Sequence, residues 1–428
     1  MSKTSKSQLS YEDMHADLSA LIACDTCFPP AASYGAFCDL IETRAADLGG
    51  RAERVAVPPH LWQADGVTGA RVNLVLRPDI GPADAPEALI YFHADTAPVG
   101  DGWTRPPLML TREGTRLFGR GTADMKGCIA AVLAALRHLK QTETALAFRP
   151  VLAICTDEEG GLYPGIRYLA ETRTLPDVLL NLNGGAQPRI WGGCLGSMDI
   201  AVTVQGLAAH SGRPDQGINA LEEMLPVLAA LQGLRQDIET RTTAMPPPPG
   251  APDLCARLSI TAIRAGDKGS ALPGQCRVVI NRRYLPEENP DAVRAEIDQT
   301  LRAAITKTRL RGWRSDQIGH LPPVTDPSGP WTDRWTQARA VAADLPVDEF
   351  TLYGSGTSSD FGWVQKAGIQ HMLLGGLMRP DAAVHGPDEH TTVDDMETLA
   401  HAVALFLSAD FPTSSDQRKQ TPPNMETS

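Results

Sequence analysis

A strand–helix–strand unit between residues 88 and 155 limits the fold of this chain more than any other stretch. Ala88-Leu-Ile-Tyr-Phe is an unbroken apolar run of strand length, Met125 to Leu139 (MKGCIAAVLAALRHL) is helical with a broad apolar face, and Val151-Leu-Ala-Ile-Cys is a second apolar run. Runs of this kind belong to strands buried on both faces, and strands that alternate with helices imply a largely parallel sheet. The alternation continues with strands at Val72 to Leu76 and Asp177 to Leu182 and a helix at Tyr163 to Glu171. The expected fold class is α/β, a mixed, mostly parallel sheet with helices on both faces. Ligands in such sheets gather at the carboxyl ends of the strands.

Acids and histidines stand at those ends. His93 follows the first strand directly, and Asp95 lies two residues further on, on the same face of an extended chain. A carboxylate beside a metal-binding imidazole fixes its tautomer and raises its basicity. Asp124 lies in the Gly-rich turn GRGTADMKG at the start of the helix. The strand ending at Cys155 runs into Asp157, Glu158 and Glu159. Adjacent carboxylates there are useful if one binds a metal while its neighbour handles protons. Far downstream, VHGPDEH supplies His385 on a Gly-Pro turn. His93, Asp124, Glu159 and His385 form a set suited to zinc, manganese or cobalt.

HADT, GRGTADMKG, TDEEGG, GLAAHSGRPDQGINA and HGPDEH, in this order, resemble the zinc-dependent family of aminoacylases, glutamate carboxypeptidases, acetylornithine deacetylases and succinyl-diaminopimelate desuccinylases. The resemblance covers roughly residues 10 to 410. It implies two metals that share Asp124, with Asp95 supporting His93 and Glu158 taking a proton from water. Glu159 and His385 would complete one metal site. The other would use His93, Asp124 and a further acid, where this chain carries the neutral Asn183, within about one residue of register. One or two ions per subunit are therefore expected. His210 resembles the histidine that a partner subunit contributes to stabilise an oxyanion, so a homodimer is expected. Arg283 in NRRYLP matches a position that holds a substrate carboxylate, and Gly354 to Thr357, with Gly356 and Thr357 at its end, resembles a substrate loop ahead of Asp360. Ser270 stands where the family commonly has asparagine, a second departure from the pattern.

The pattern changes after Gly196. Met198 to Val204 alternates as a half-exposed strand, Asn219 to Asp237 and Pro290 to Thr306 read as helices, and Arg257 to Ile263 and Arg277 to Tyr284 read as strands. This composition predicts an inserted α+β domain over 198–314, which the resemblance makes a lid and dimerisation domain. It divides a hydrolase-like catalytic domain into 10–197 and 315–411. Ser10 with Asp13 predicts a capped helix through about Cys24, and Tyr34 to Leu48 a second helix. Residues 1–9 and the tail 412–428 are polar and expected to be disordered.

A net charge of -12 argues against nucleic acid or an anionic membrane as partner. Eight scattered cysteines suit reduced thiols, and the Cys24-Asp-Thr-Cys27 pair has no second pair to complete a metal site. The N-terminus has no apolar leader, so a soluble cytoplasmic protein is expected. The leading functional reading is a metal-dependent hydrolase that breaks a C–N bond of a small carboxylated substrate, as a deacylase or exopeptidase. The alternative is an aminohydrolase acting on an aromatic amine such as a nitro-substituted aminobenzoate. A non-catalytic binding protein on the same scaffold is a third reading, opposed by the free base that Glu158 would supply.

Overall fold

The computed structural model describes residues 10–63 and 67–411, so the two polar ends singled out above lie outside the described residues. Its larger sheet has six strands in the order Arg51–Ala56, Val72–Arg77, Arg149–Cys155, Glu87–His93, Val178–Asn181 and Leu373–Leu374. Glu87–His93 is flanked on both sides by parallel neighbours, with His93 level with Cys155 and Tyr91 level with Asn181. The first two strands are antiparallel additions at one edge, which makes the sheet mixed as expected.

The period of two in the central strands sorts their side chains between two cores. Ala88, Ile90, Phe92, Leu152 and Ile154 face a core shared with helices Tyr11–Ala23, Tyr34–Arg44, Lys126–Gln141 and Val393–Leu407. Leu89, Tyr91, Val151, Ala153 and Cys155 face the opposite core, closed by Ile166 and Leu169 of helix Gly165–Thr172 and by Phe361 and Val364 of helix Phe361–Lys366. Lys126–Gln141 is buried at every position from Lys126 to Leu136, which is why its sequence is apolar nearly all round. The first helix begins as predicted, with the Ser10 hydroxyl accepting the Asp13 N–H at 3.2 Å. The second ends at Arg44 and gives way to a short 3-10 turn at Ala46–Leu48.

Residues 196–321 build a separate antiparallel sheet, ordered Arg257–Ala265, Gln275–Tyr284, Gly196–Gln205 and Gly312–Leu321. Helices Ala220–Ile238 and Pro290–Ile305 cover one face, and the core between them holds Ile200, Val202, Val278, Ile280, Val227 and Ile297. Both helices are capped by asparagines, Asn219 and Asn289, whose side chains accept first-turn amides.

The sequence reading passed over several strands, among them one edge of each large sheet. Arg51–Ala56 buries only Val55, and Gly312–Leu321 (GWRSDQIGHL) buries only Gly319 and Leu321. Both are edge strands, and polar side chains on an edge give no apolar run to detect. Among the described residues no helix is long and apolar enough to cross a membrane.

Candidate metal centre

The parallel strands deliver His93 and the Asp157–Glu159 turn to the same end of the sheet. His93 is fully buried; its Nδ1 lies 3.0 Å from the main-chain oxygen of Asp95. That partner is the backbone, with the Asp95 carboxylate further away at 3.7 Å. An Nδ1–H donated to the carbonyl leaves Nε2 as the outward lone pair, the tautomer a metal ligand requires. Nε2 points at Asp124 Oδ1, 2.8 Å away.

The Asp95 carboxylate, 3.7 Å from His93 Nδ1, has a further task. It accepts the backbone N–H of Glu158 at 3.2 Å and of Glu159 at 2.8 Å, which orients the two consecutive acids. The turn is held from its other side by Asp157, whose left-handed φ of 53° is uncommon outside glycine. Arg71 Nε and the Tyr34 hydroxyl, at 2.8 and 2.5 Å, both donate to the Asp157 carboxylate, and all three residues are buried. Sequence reasoning missed Arg71 and Tyr34, since nothing in their local patterns marks a partner more than 80 residues away.

Asp124 closes the cluster. Oδ1 meets His93, and Oδ2 lies 3.2 Å from Nε2 of His385. The same His385 nitrogen is 2.9 Å from Glu159 Oε2, while Glu159 Oε1 accepts the N–H of Ala97 at 2.9 Å. Ligand atoms of His93, Asp124 and Glu159 all lie within 4.8 Å of one another. The Gly-rich turn is needed for this approach: a Cβ on Gly127 would sit 2.2 Å from the Thr122 carbonyl oxygen.

The electrostatics follow from crowding acids in a buried space. Burial, and then the charges of Asp360, Glu159 and Asp124, push the Glu158 carboxyl well above its ordinary range against the opposing pull of His93. Burial and the charge of Asp124 also raise the Glu159 carboxyl, against the pull of His385 and His93. Hydrogen bonds that His385 donates to the Asp124 and Glu159 carboxylates raise its pKa to about 10. Four carboxylates, Asp95, Asp124, Glu158 and Glu159, thus share a space with two imidazoles. A divalent cation fits that surplus of negative charge and the oxygen–imidazole donor set.

The other candidates are distributed unequally. Asn183 follows the strand Val178–Asn181, whose pairing with Glu87–His93 brings it out of the sheet at the His93 end. Its N–H is held by Asn181 Oδ1 at 2.8 Å, and its own Oδ1 is buried without a hydrogen-bond partner among the described residues. Arg283, in the Gln275–Tyr284 strand, reaches across to the loop of Gly356 and Thr357, where its Nη1 donates to Ser358 Oγ at 2.7 Å. Tyr163, which sequence reading took only as a helix start, is half-buried, with Asp199, Glu158, Arg283 and Glu159 among its charged neighbours. Asp360 is buried and accepts the Tyr91 hydroxyl at 2.5 Å. His210 is not brought to the cluster: it is exposed on a two-residue ribbon paired with Ala271–Leu272, its Nδ1 accepting the Gly212 N–H at 3.0 Å.

A buried acid–imidazole cluster at the carboxyl ends of a mostly parallel sheet, together with the sequence relationships that follow, defines a metal-dependent hydrolase acting on C–N bonds. The chain belongs to peptidase family M20/M25/M40, whose model matches residues 89–409. A succinyl-diaminopimelate desuccinylase from Methylococcus capsulatus is 28% identical over 360 residues, covering 81% of this chain and 89% of that protein. Another from Stenotrophomonas maltophilia is 30% identical over 341 residues, covering 74% and 81%. The M20 family metallo-carboxypeptidase Sso-CP2 from Sulfolobus solfataricus superposes with a TM-score of 0.73 at 16% identity, covering 92% of this chain and 98% of that one. Human carnosine dipeptidase 1 gives 0.72 at 18% identity, covering 93% and 96%. At these identities the structural likeness is one of fold.

Proposed function

We propose that the protein is an amidohydrolase of the deacylase or exopeptidase type, acting on a small substrate that carries a carboxylate. The observation that carries this reading is Glu158. Its backbone is pinned by Asp95 beside the ligand Glu159, while no hydrogen bond or ion pair among the described residues engages its side chain. A half-buried carboxylate left unengaged next to a candidate cation-binding cluster is suited to accept a proton from water and return it to a leaving nitrogen.

Asp124, Glu159 and His385 would hold one ion, with His93 and Asp124 offering the start of a second site; zinc, manganese and cobalt all suit these donors. A divalent ion so placed supplies Lewis acidity and lowers the pKa of bound water to about 7. Arg283 would hold the substrate carboxylate with its guanidinium, beside the Gly356–Thr357 loop. His210 would act from a partner subunit in a homodimer. Residues 198–314 would form the lid and dimerisation domain between catalytic segments 10–197 and 315–411, although the second sheet continues to Leu321. All eight cysteines are free, which supports a reducing, cytoplasmic setting.

Metal analysis of the purified protein, alongside release assays with N-acyl amino acids, dipeptides and aminobenzoates, tests the reading. Carboxylate or amino acid release from an amide is expected. Ammonia release from an aminobenzoate with inert amides would establish the aminohydrolase alternative instead.

A further inference from the structure

A buried ion pair lies behind the metal cluster and donates no ligand to it. Glu389, four residues beyond His385, is fully buried, and its carboxylate is saturated. Oε1 accepts the N–H of Ala123 at 3.0 Å and of Asp124 at 3.1 Å. Oε2 accepts the N–H of Gly121 at 3.1 Å and Nη1 of Arg120 at 2.7 Å. Successive amides turned to one side make a nest for an anion, and here the chain fills the nest with its own carboxylate. The positive φ of Gly121, 89°, helps turn those amides inward.

Arg120 extends the connection. Its Nη2 donates to the main-chain oxygens of Pro98 at 2.9 Å and of His385 at 3.2 Å. Pro98 adjoins Ala97, the residue whose amide holds Glu159. One ion pair therefore ties together the Asp124 turn, the His385 loop and the segment that orients Glu159.

We propose that Arg120 and Glu389 are positioning residues that set Asp124, His385 and Glu159 at the spacing a divalent ion requires. A buried ion pair is a poor source of net stability, since desolvation of both charges offsets their attraction. Its directional hydrogen bonds, in contrast, suit it to holding three loops in register. The inference rests on the metal-binding reading above. Failure of that reading would appear as no ion bound by the natural protein; failure of this inference would appear as unchanged binding in the variants.

The test uses Arg120→Met/Glu389→Gln, which removes both charges together, and Glu389→Asp, which keeps the charge but shortens the reach. Zinc and manganese affinities are measured by competition with a chromophoric chelator, and the visible d–d bands of the cobalt-loaded proteins are recorded. The expected result is divalent-ion affinity about 10–100-fold weaker, the range found when supporting partners of metal ligands are replaced. Shifted cobalt bands and a lower kcat with nearly unchanged KM are expected with it. Natural affinity and cobalt bands in a folded variant, with only a lower Tm, would overturn the proposal. If the double variant does not fold, Glu389→Asp alone decides by the same two readouts.

Discussion

The body of the molecule and the antiparallel unit of residues 196–321 treat their functional residues in opposite ways. In the body, His93, Asp124 and Glu159 are drawn together by backbone constraints: parallel strands, a glycine turn, and Asp95 holding two consecutive amides. In the antiparallel unit, His210 is exposed on a short ribbon, while Arg283 reaches a body loop through Ser358. The difference teaches that the acid–imidazole cluster is assembled within one chain. The oxyanion function assigned to His210 requires a second protomer or a large approach.

Glu158→Gln should give the largest effect, a fall in kcat of about 10²–10⁴-fold with metal content and Tm nearly natural, since it removes a base without removing a ligand. Near-natural turnover by that variant would end the assignment of Glu158. His210→Ala should lower kcat by about 10²–10³-fold with little change in KM, as expected for a donor to charge that develops in the transition state. Mixing His210→Ala with Glu158→Gln protomers should restore part of the activity. No recovery after verified subunit exchange would show that each chain works alone, and would break the comparison at its main point.

Within the body, the second metal position proposed above is the weaker one, because Asn183 would offer it a neutral amide. One tightly held ion per subunit is expected to suffice for turnover. Asn183→Asp should tighten the weaker binding event by about tenfold or more, because a carboxylate replaces a neutral amide. Calorimetric titration with zinc, manganese or cobalt measures this; two equally tight ions, both required for activity in the natural protein, would refute the asymmetry.

The smallest expected effect concerns the seam between the two regions. His320, near the end of the Gly312–Leu321 strand, packs edge-on against Trp363 of the body and contacts the Tyr284 hydroxyl at 2.7 Å. Burial, helped by Lys366 and Arg167, lowers its pKa to about 4. The unfolded chain then binds this proton more readily than the folded one. The stability contributed is present above about pH 6.5 and lost as pH falls toward 4. Tm should therefore drop by a few degrees over that window, on the order of 2–4 °C, and by less in His320→Gln. Equal losses in both proteins would assign the acid sensitivity elsewhere.

Much of this protein was legible from residues alone, wherever the signal was local. Apolar runs of strand length and a helix buried nearly all round determined the parallel sheet, because burial on both faces demands such sequences. His93 and the Asp157–Glu159 run, placed directly at the ends of neighbouring parallel strands, were legible as a meeting point. Tertiary structure decided the rest. The polar edge strands Arg51–Ala56 and Gly312–Leu321 exist because their backbones pair with a neighbour, whatever their side chains. Asp95 holds the amides of Glu158 and Glu159, more than 60 residues away, besides lying near the imidazole two residues before it. Arg71 with Asp157, and Arg120 with Glu389, are partners across 86 and 269 residues. Long-range pairs of this kind leave no periodicity in a sequence, since their spacing is set by how the chain packs and not by the repeat of any helix or strand.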